Sequence, residues 1–260
     1  MDVRMDGRVA AITGGSTGLG FAMAREFAAS GAGVALIARR QEALAEAKAA
    51  LKGVGGRVEA YSCDVSKAEP IAETVKRIQG DFGKIDIMVN NAGISHAKAF
   101  DTVSDADWQG DLDLKLFAAI RFCRLLLPGM RERRWGRVLN VLNIGAKAPG
   151  ANSTPTSVSR AAGMALTKAL SLENAPHNVL VNALLVGLIE SDQWARRHKT
   201  VGNNQSYEQF LDGMAKGRIP MGRMGEAAEF ARMACFLCSD AGSYVTGVAI
   251  NVDGGMSPAV

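Results

Sequence analysis

Cysteine is scarce in this 260-residue chain, and of Cys63, Cys123, Cys235 and Cys238 only the last two have a ligand-like spacing. No second pair completes a zinc site. Phe230, Met233, Phe236 and Leu237 give the run Glu229–Cys238 an apolar helical face, so the thiols are predicted to pack in a core, without metal or redox chemistry. A strong excess of either charge is also missing. Thirty lysines and arginines stand against 26 acids, leaving a net +4. The basic residues cluster only briefly, at 131–137 and 196–199, so no nucleic-acid surface is expected. Apolar runs long enough to span a bilayer are absent, and the first residues lack the basic start and apolar stretch of a signal peptide. A soluble, cytoplasmic protein without membrane contact is the expectation.

The hydrophobic content of 48% and the length suit one large α/β domain over residues 1–260. The apolar run Val9–Ile12 leads directly into Thr13-Gly14-Gly15-Ser16-Thr17-Gly18-Leu19-Gly20, and a helical pattern leaves it from Phe21 to Ala29. Glycines between a strand and a helix let backbone N–H groups approach a phosphate, and the helix N-terminus adds partial positive charge. The turn therefore reads as a pyrophosphate cradle. Val34–Ala38 follows as a second strand, completing a right-handed βαβ unit whose strand end meets the ribose of a dinucleotide. A carboxylate there would hold the 2′-hydroxyl of NAD, but this chain has Arg39 and Arg40, which suit a 2′-phosphate. NADP(H) is predicted in preference to NAD(H).

Alternation continues to the C-terminus. Helices are predicted at Gln41–Lys52, Ile71–Gly80, Trp108–Met130 and Thr156–Asn174, and strands at Arg57–Ser62, Ile85–Val89, Arg137–Asn143, Leu180–Val186 and Gly247–Val252. The pattern is a doubly wound parallel sheet of the Rossmann type, with seven strands flanked by helices.

With these motifs in order, the chain resembles the short-chain dehydrogenase/reductase family over essentially its whole length. Thr13-Gly14-x-x-x-Gly18-x-Gly20 matches the family's cofactor turn, Asp64-Val65 its adenine contact, and Asn90-Asn91-Ala92-Gly93 its strand-four motif. Gly222-Arg223-Met224-Gly225-Glu226 and Val252-Asp253-Gly254-Gly255 resemble its C-terminal landmarks. The cofactor contacts that the resemblance implies are Gly14, Ser16, Thr17, Gly18, Leu19, Gly20, Arg39, Arg40, Asp64, Val65, Asn91, Ala92, Gly93, Arg160, Gly187 and Ile189. It also implies a homotetramer, with the helices Trp108–Met130 and Thr156–Asn174 paired across subunits, and a mobile substrate lid at about 192–216.

The family's catalytic set is replaced. Its serine falls on Asn143, its tyrosine on Thr156, its lysine on Arg160 and its asparagine on Lys115, while Val186-Gly187 stands where Pro-Gly is usual. Threonine is a poor general acid, and losing such catalysis costs about 10²- to 10⁴-fold. Asn143 can still donate to a developing oxyanion, Thr156 can orient a substrate or a water, and Arg160 can bond the nicotinamide ribose without serving as a proton relay. Lys115 is the leading replacement acid, its proton loosened by Arg160 and by the oxidised nicotinamide; His96 is the second candidate. In the lid, Trp194, Tyr207, Phe210 and Leu211 are expected to face a small-molecule substrate, and Arg196, Arg197, His198 and Lys199 to form a solvated helix face. Hydride transfer with an altered proton relay is the leading functional expectation. A silent dinucleotide-binding protein and a non-redox lyase or isomerase are the alternatives.

Overall fold

Successive residues of the central strands face opposite ways, and both ways lead into apolar packing. The computed structural model describes residues 3–201 and 205–260. The first half comprises β1 (Val9–Thr13), α1 (Gly18–Ala29), β2 (Gly33–Ala38), α2 (Gln41–Ala50), β3 (Val58–Ser62), α3 (Ala68–Phe82) and β4 (Ile87–Asn90). It continues through α4 (Asp105–Leu112), a π-helical turn at Asp113–Phe117, α5 (Ala118–Glu132), β5 (Gly136–Asn143), α6 (Thr156–Asn174) and β6 (Val179–Val186). The helices α7 (Asp192–Val201) and α8 (Tyr207–Ala215), then α9 (Ala227–Cys238) and β7 (Ala249–Val252), complete it.

Ala10, Ile12, Val34, Leu36, Ile87 and Val89 pack with Met23 and Phe27 of α1 and Phe230 of α9. Ala11, Ala35, Ile37 and Met88 face the other way, against Ile71 and Val75 of α3 and Phe122 and Leu126 of α5. This period of two, buried on both faces, is what a parallel sheet between helix layers requires. Among the described residues the sheet has seven parallel strands in the order β3-β2-β1-β4-β5-β6-β7. The chain reverses its direction of travel across the sheet between β1 and β4, and the crevice above such a switch is where this architecture binds ligands.

All four cysteines are buried and free, and burial pushes their thiols up, Cys123 to about 12. They are core residues, as expected. No described helix is long and apolar enough to cross a membrane.

Two expectations need correction. The helix predicted from Trp108 to Met130 begins earlier, at a capping box between Ser104 and Asp107, and it widens into the π turn at Lys115. π turns inside α-helices are rare and concentrate at functional sites. The expected lid includes residues 202–204 and the side chains of Asp192, Gln193 and Arg196, which lie outside the described residues. In the described part, Trp194, Leu211 and Met214 pack with Ala215, Ile219 and Met224, so much of the lid's apolar surface is spent on its own small core. His198 departs from the expected solvated face: its ring lies 5.5 Å from that of Tyr207 and 5.3 Å from that of Phe210, joining α7 to α8.

Candidate active site

The cofactor edge is assembled mainly from main chain. The Thr13 hydroxyl accepts from the backbone N–H groups of Asn91 and Ala92, both at 2.9 Å, and donates to the Val89 carbonyl at 3.2 Å. Asn91 returns its side-chain amide to the Thr13 carbonyl at 2.9 Å. The ends of β1 and β4 are thus locked together. Gly18 opens α1 at φ +56°, in the left-handed region that favours glycine, and a Cβ there would point into open space toward Ser191, 3.9 Å away. Thr17 makes no side-chain cap and α1 has no acid in its first turn, and the N–H groups that open a helix have no partner within it, which suits an anion there. Ser16 lies in the same turn, next to Gly15 and Thr17. This cradle fits a pyrophosphate.

At the end of β2, Arg39 and Arg40 are exposed. Arg39 lies close enough to Asp64 to help hold its carboxyl below the usual range, although the Ser66 hydroxyl at 2.7 Å is the larger cause. Asp64 and the buried Val65 sit beside the two arginines after β3, the arrangement expected for an adenosine carrying a 2′-phosphate. Gly187 and Ile189 follow β6 on the far side. Gly187 packs so tightly on Asp253 that no Cβ could be inserted, and Ile189 bridges to Gly225. Beside them Arg223 grips Glu229 with two bonds of 2.9 and 2.7 Å, which makes the Gly222–Glu226 landmark a structural clasp.

The second half of the site is a knot of buried charge. Lys115, carried on the π turn, has a side chain only 1% exposed; its Nζ is ion-paired with Asp111 and donates to the Thr156 hydroxyl at 2.9 Å. The same hydroxyl accepts from the backbone N–H of His96 at 3.0 Å. Arg160, one turn along α6 from Thr156, donates to the Val141 carbonyl at 2.7 Å, and its Nε is buried without a partner. Gly93 is the spacer. A Cβ there would stand 2.6 Å from Nη2 of Arg160, whose guanidinium would have to shift, and in ordinary contact at 3.5 Å with Cγ of Lys115. Burial lowers Lys115 to about 8, with the Asp111 hydrogen bond opposing and the Arg160 charge assisting. Burial also lowers Arg160 to about 10, which leaves it a cation at neutral pH.

Lys115, Thr156 and Arg160 therefore come together as expected, but the main reason for the loosened lysine proton differs. Desolvation leads; repulsion from Arg160 is secondary. Asn143 ends β5 near Gly145 and Ser157, with a buried Oδ1 that has no partner. His96 touches the cluster through its backbone N–H. Two residues were missed in the sequence, Asp111 and Ser159. Their signal was present as spacing, because Asp111 precedes Lys115 by four residues and Ser159 follows Thr156 by three, which are helical neighbour distances.

Residues 14–257 match the family described as enoyl-(acyl carrier protein) reductase. The 3-oxoacyl-[acyl-carrier-protein] reductase FabG of Aquifex aeolicus is 34% identical over 259 residues, spanning 98% of this chain and 100% of its own. L-sorbose reductase from Gluconobacter frateurii, solved with NADPH and L-sorbose, superposes at a TM-score of 0.95 and 35% identity, with both chains covered in full. An NADPH-bound short chain oxidoreductase from Pseudomonas aeruginosa PAO1, described as containing an atypical catalytic center, superposes at a TM-score of 0.92 and 35% identity over 99% of each chain. With a family model matching most of the chain and full-length relatives above 30% identity, the chain belongs to the short-chain dehydrogenase/reductase family as an oxidoreductase of that type.

Proposed function

We propose that this NADP(H)-dependent oxidoreductase interconverts a small carbonyl compound and its alcohol, with Lys115 and Thr156 replacing the family's tyrosine in proton transfer. The carrying observation is the 2.9 Å contact between Lys115 Nζ and Thr156 Oγ1 inside a buried cluster. A hydroxyl has two acceptor sites and one donor. On Thr156 both acceptor sites are filled, by Lys115 and by the His96 N–H, so its own proton must point away from them. Thr156 then gives that proton to a substrate oxygen as Lys115 supplies another to Oγ1, and oxidation runs the same path backwards. The bound nicotinamide supplies or takes the hydride. Arg160 holds the ribose side and keeps the cluster positive, and Asn143 bonds the oxygen as charge develops on it.

The resemblance to an NADPH-bound oxidoreductase with an atypical catalytic center supports this reading, as does the likeness to L-sorbose reductase. A panel of ketones, sugars, 3-oxoacyl thioesters, enones and alcohols, followed at the nicotinamide absorbance, tests it. Turnover with a ketone or secondary alcohol is expected. Tight NADPH binding with no turnover across the panel would favour the silent dinucleotide-binding alternative, and conversion without a change in the cofactor would favour lyase or isomerase chemistry.

A homotetramer is also proposed. Leu125 of α5 and Val158 and Leu172 of α6 are exposed by 42%, 46% and 67%, giving two neighbouring helices apolar surface suited to a twofold contact. Light scattering should give four times the mass of one chain, and a monomer at micromolar concentration would refute the assembly.

A further inference from the structure

Lys115 and Thr156 account for the proton's last step, but they do not account for why a flexible amine stays where it is. Four methylenes separate Nζ from the backbone, and a buried cation one layer from Arg160 would turn away unless something held it. We propose that Asp111, clamped by Ser159, is the positioning residue that keeps the Lys115 ammonium on Thr156 and governs how tightly it holds its proton. This rests on the reading of Lys115 as the proton source.

The geometry uses two helix faces. Asp111 and Lys115 are four residues apart across the start of the π turn, and Thr156, Ser159 and Arg160 share one face of α6. Asp111 is fully buried, and both its oxygens are occupied: one pairs with Lys115, and the other accepts from the Ser159 hydroxyl at 2.6 Å. The Thr156 carbonyl, at 3.1 Å, competes for the same serine proton. The carboxylate wins, because it is closer and charged, and hydrogen bonds to ionised groups are about twice as strong as neutral ones. The carboxylate therefore cannot rotate without losing a partner. Its fixed orientation leaves Lys115 two anchor points, Asp111 and Thr156, and one remaining N–H.

Charge balance gives this arrangement a consequence for chemistry. The groups facing Lys115 are Asp111 from α4 and Arg160 from α6; Asp113, on its own turn, is paired with Arg121 at 2.9 Å. Asn143 of β5 does not titrate, and His96 reaches the cluster through its main chain. With lysine protonated, the cluster holds two cations and one anion. With lysine neutral it holds one of each. Asp111 thus retains the proton against burial and Arg160, and releasing the proton leaves a balanced pair behind instead of a bare carboxylate.

The test reads Lys115 directly. Protein carrying [ε-13C]lysine, with NADPH bound, is titrated by NMR, the Lys115 resonance being assigned by its loss in Lys115→Met. Asp111→Asn keeps the shape and removes the charge; it should move the Lys115 midpoint down by about 1 to 3 pH units. The high-pH limb of kcat should move with it, and Asp111→Glu should recover much of both. An unchanged midpoint in folded Asp111→Asn would overturn the proposal. A midpoint that moves while the kcat limb stays would leave Asp111 as the group holding Lys115 but remove Lys115 from the proton path, so the two readings fail separately. If Asp111→Asn alone does not fold, the double variant Asp111→Asn/Lys115→Met decides. Recovered folding supports the pairing, because the unpaired buried cation has gone. Failure to recover would overturn it.

Discussion

The two halves of the site sit on the same sheet edge and are built from different materials. At β1, β2 and β4, backbone N–H groups, glycines and exposed arginines line the edge proposed to take the dinucleotide. At the π turn and α6, the buried Asp111 and Lys115 and the half-buried Arg160 are held within two helix faces. The first kind of site depends on chain geometry and survives changes of side chain around it. The second depends on the sum of its charges, so a residue cannot be exchanged there without a matching change nearby. The ion pair of Lys115 with Asp111 is of this second kind.

The largest expected break in this comparison is Lys115→Met. It should lower kcat for carbonyl reduction by about 10²- to 10⁴-fold, the usual contribution of a positioned acid, while the NADPH dissociation constant stays nearly unchanged. A general acid must be protonated to act, so reduction by the unaltered enzyme should decline as pH rises through about 8, and that limb should vanish in the variant. Steady-state rates between pH 6 and 10 and calorimetric titration with NADPH measure the two effects. Undiminished turnover would show that the halves are not divided as described.

The same division explains what could be read before any coordinates were known. The strand–turn–helix at Val9–Ala29 and the Asn90–Gly93 motif are local in sequence, because backbone geometry is encoded by residues next to one another. Asn143, Thr156 and Arg160 stand out as candidates only through the family resemblance, which supplies their positions. Asp111 was overlooked: an aspartate in a polar helical stretch looks solvated, and nothing local announces that it is buried under α6. The π turn was invisible for a related reason, since the pattern of 108–130 is compatible with an ordinary helix. His198 illustrates the reverse error, a polar residue assigned to solvent whose ring lies against those of Tyr207 and Phe210.

On the dinucleotide side, the sharpest test is Arg39→Ala. A hydrogen bond to a charged group is worth about 1.5 to 3 kcal/mol, so NADPH affinity should fall by about tenfold to a hundredfold. NADH affinity should hardly change, because its ribose has no 2′-phosphate. The preference for NADPH should therefore shrink with no effect on the Lys115 limb of the pH profile. Loss of both cofactors in equal measure would place Arg39 in the structure of the β2 end instead of at the phosphate, and would weaken the contrast between an exposed, adaptable half and a buried, balanced one.

The third effect is in stability and concerns the buried half alone. In the folded chain Lys115 holds its proton less tightly than an ordinary lysine, at about 8 against 10.5. Below about pH 8 both folded and unfolded chains carry that proton, and the cost of burying it is constant. Between about 8 and 10.5 the unfolded chain binds more protons, so this group's contribution to stability rises with pH, by at most about 1.4 kcal/mol per pH unit. Deleting the lysine alone would leave the buried Asp111 carboxylate without its ion-pair partner. The double variant Asp111→Asn/Lys115→Met removes both charges, and every other titrating group is common to the two proteins. Denaturant unfolding of cofactor-free protein at intervals from pH 7.5 to 10 should then show the unaltered chain gaining on the double variant as pH rises. Parallel stability curves would mean that Lys115 keeps its proton in the folded state as firmly as any exposed lysine, and the buried cluster would lose the property that distinguishes it from the dinucleotide edge.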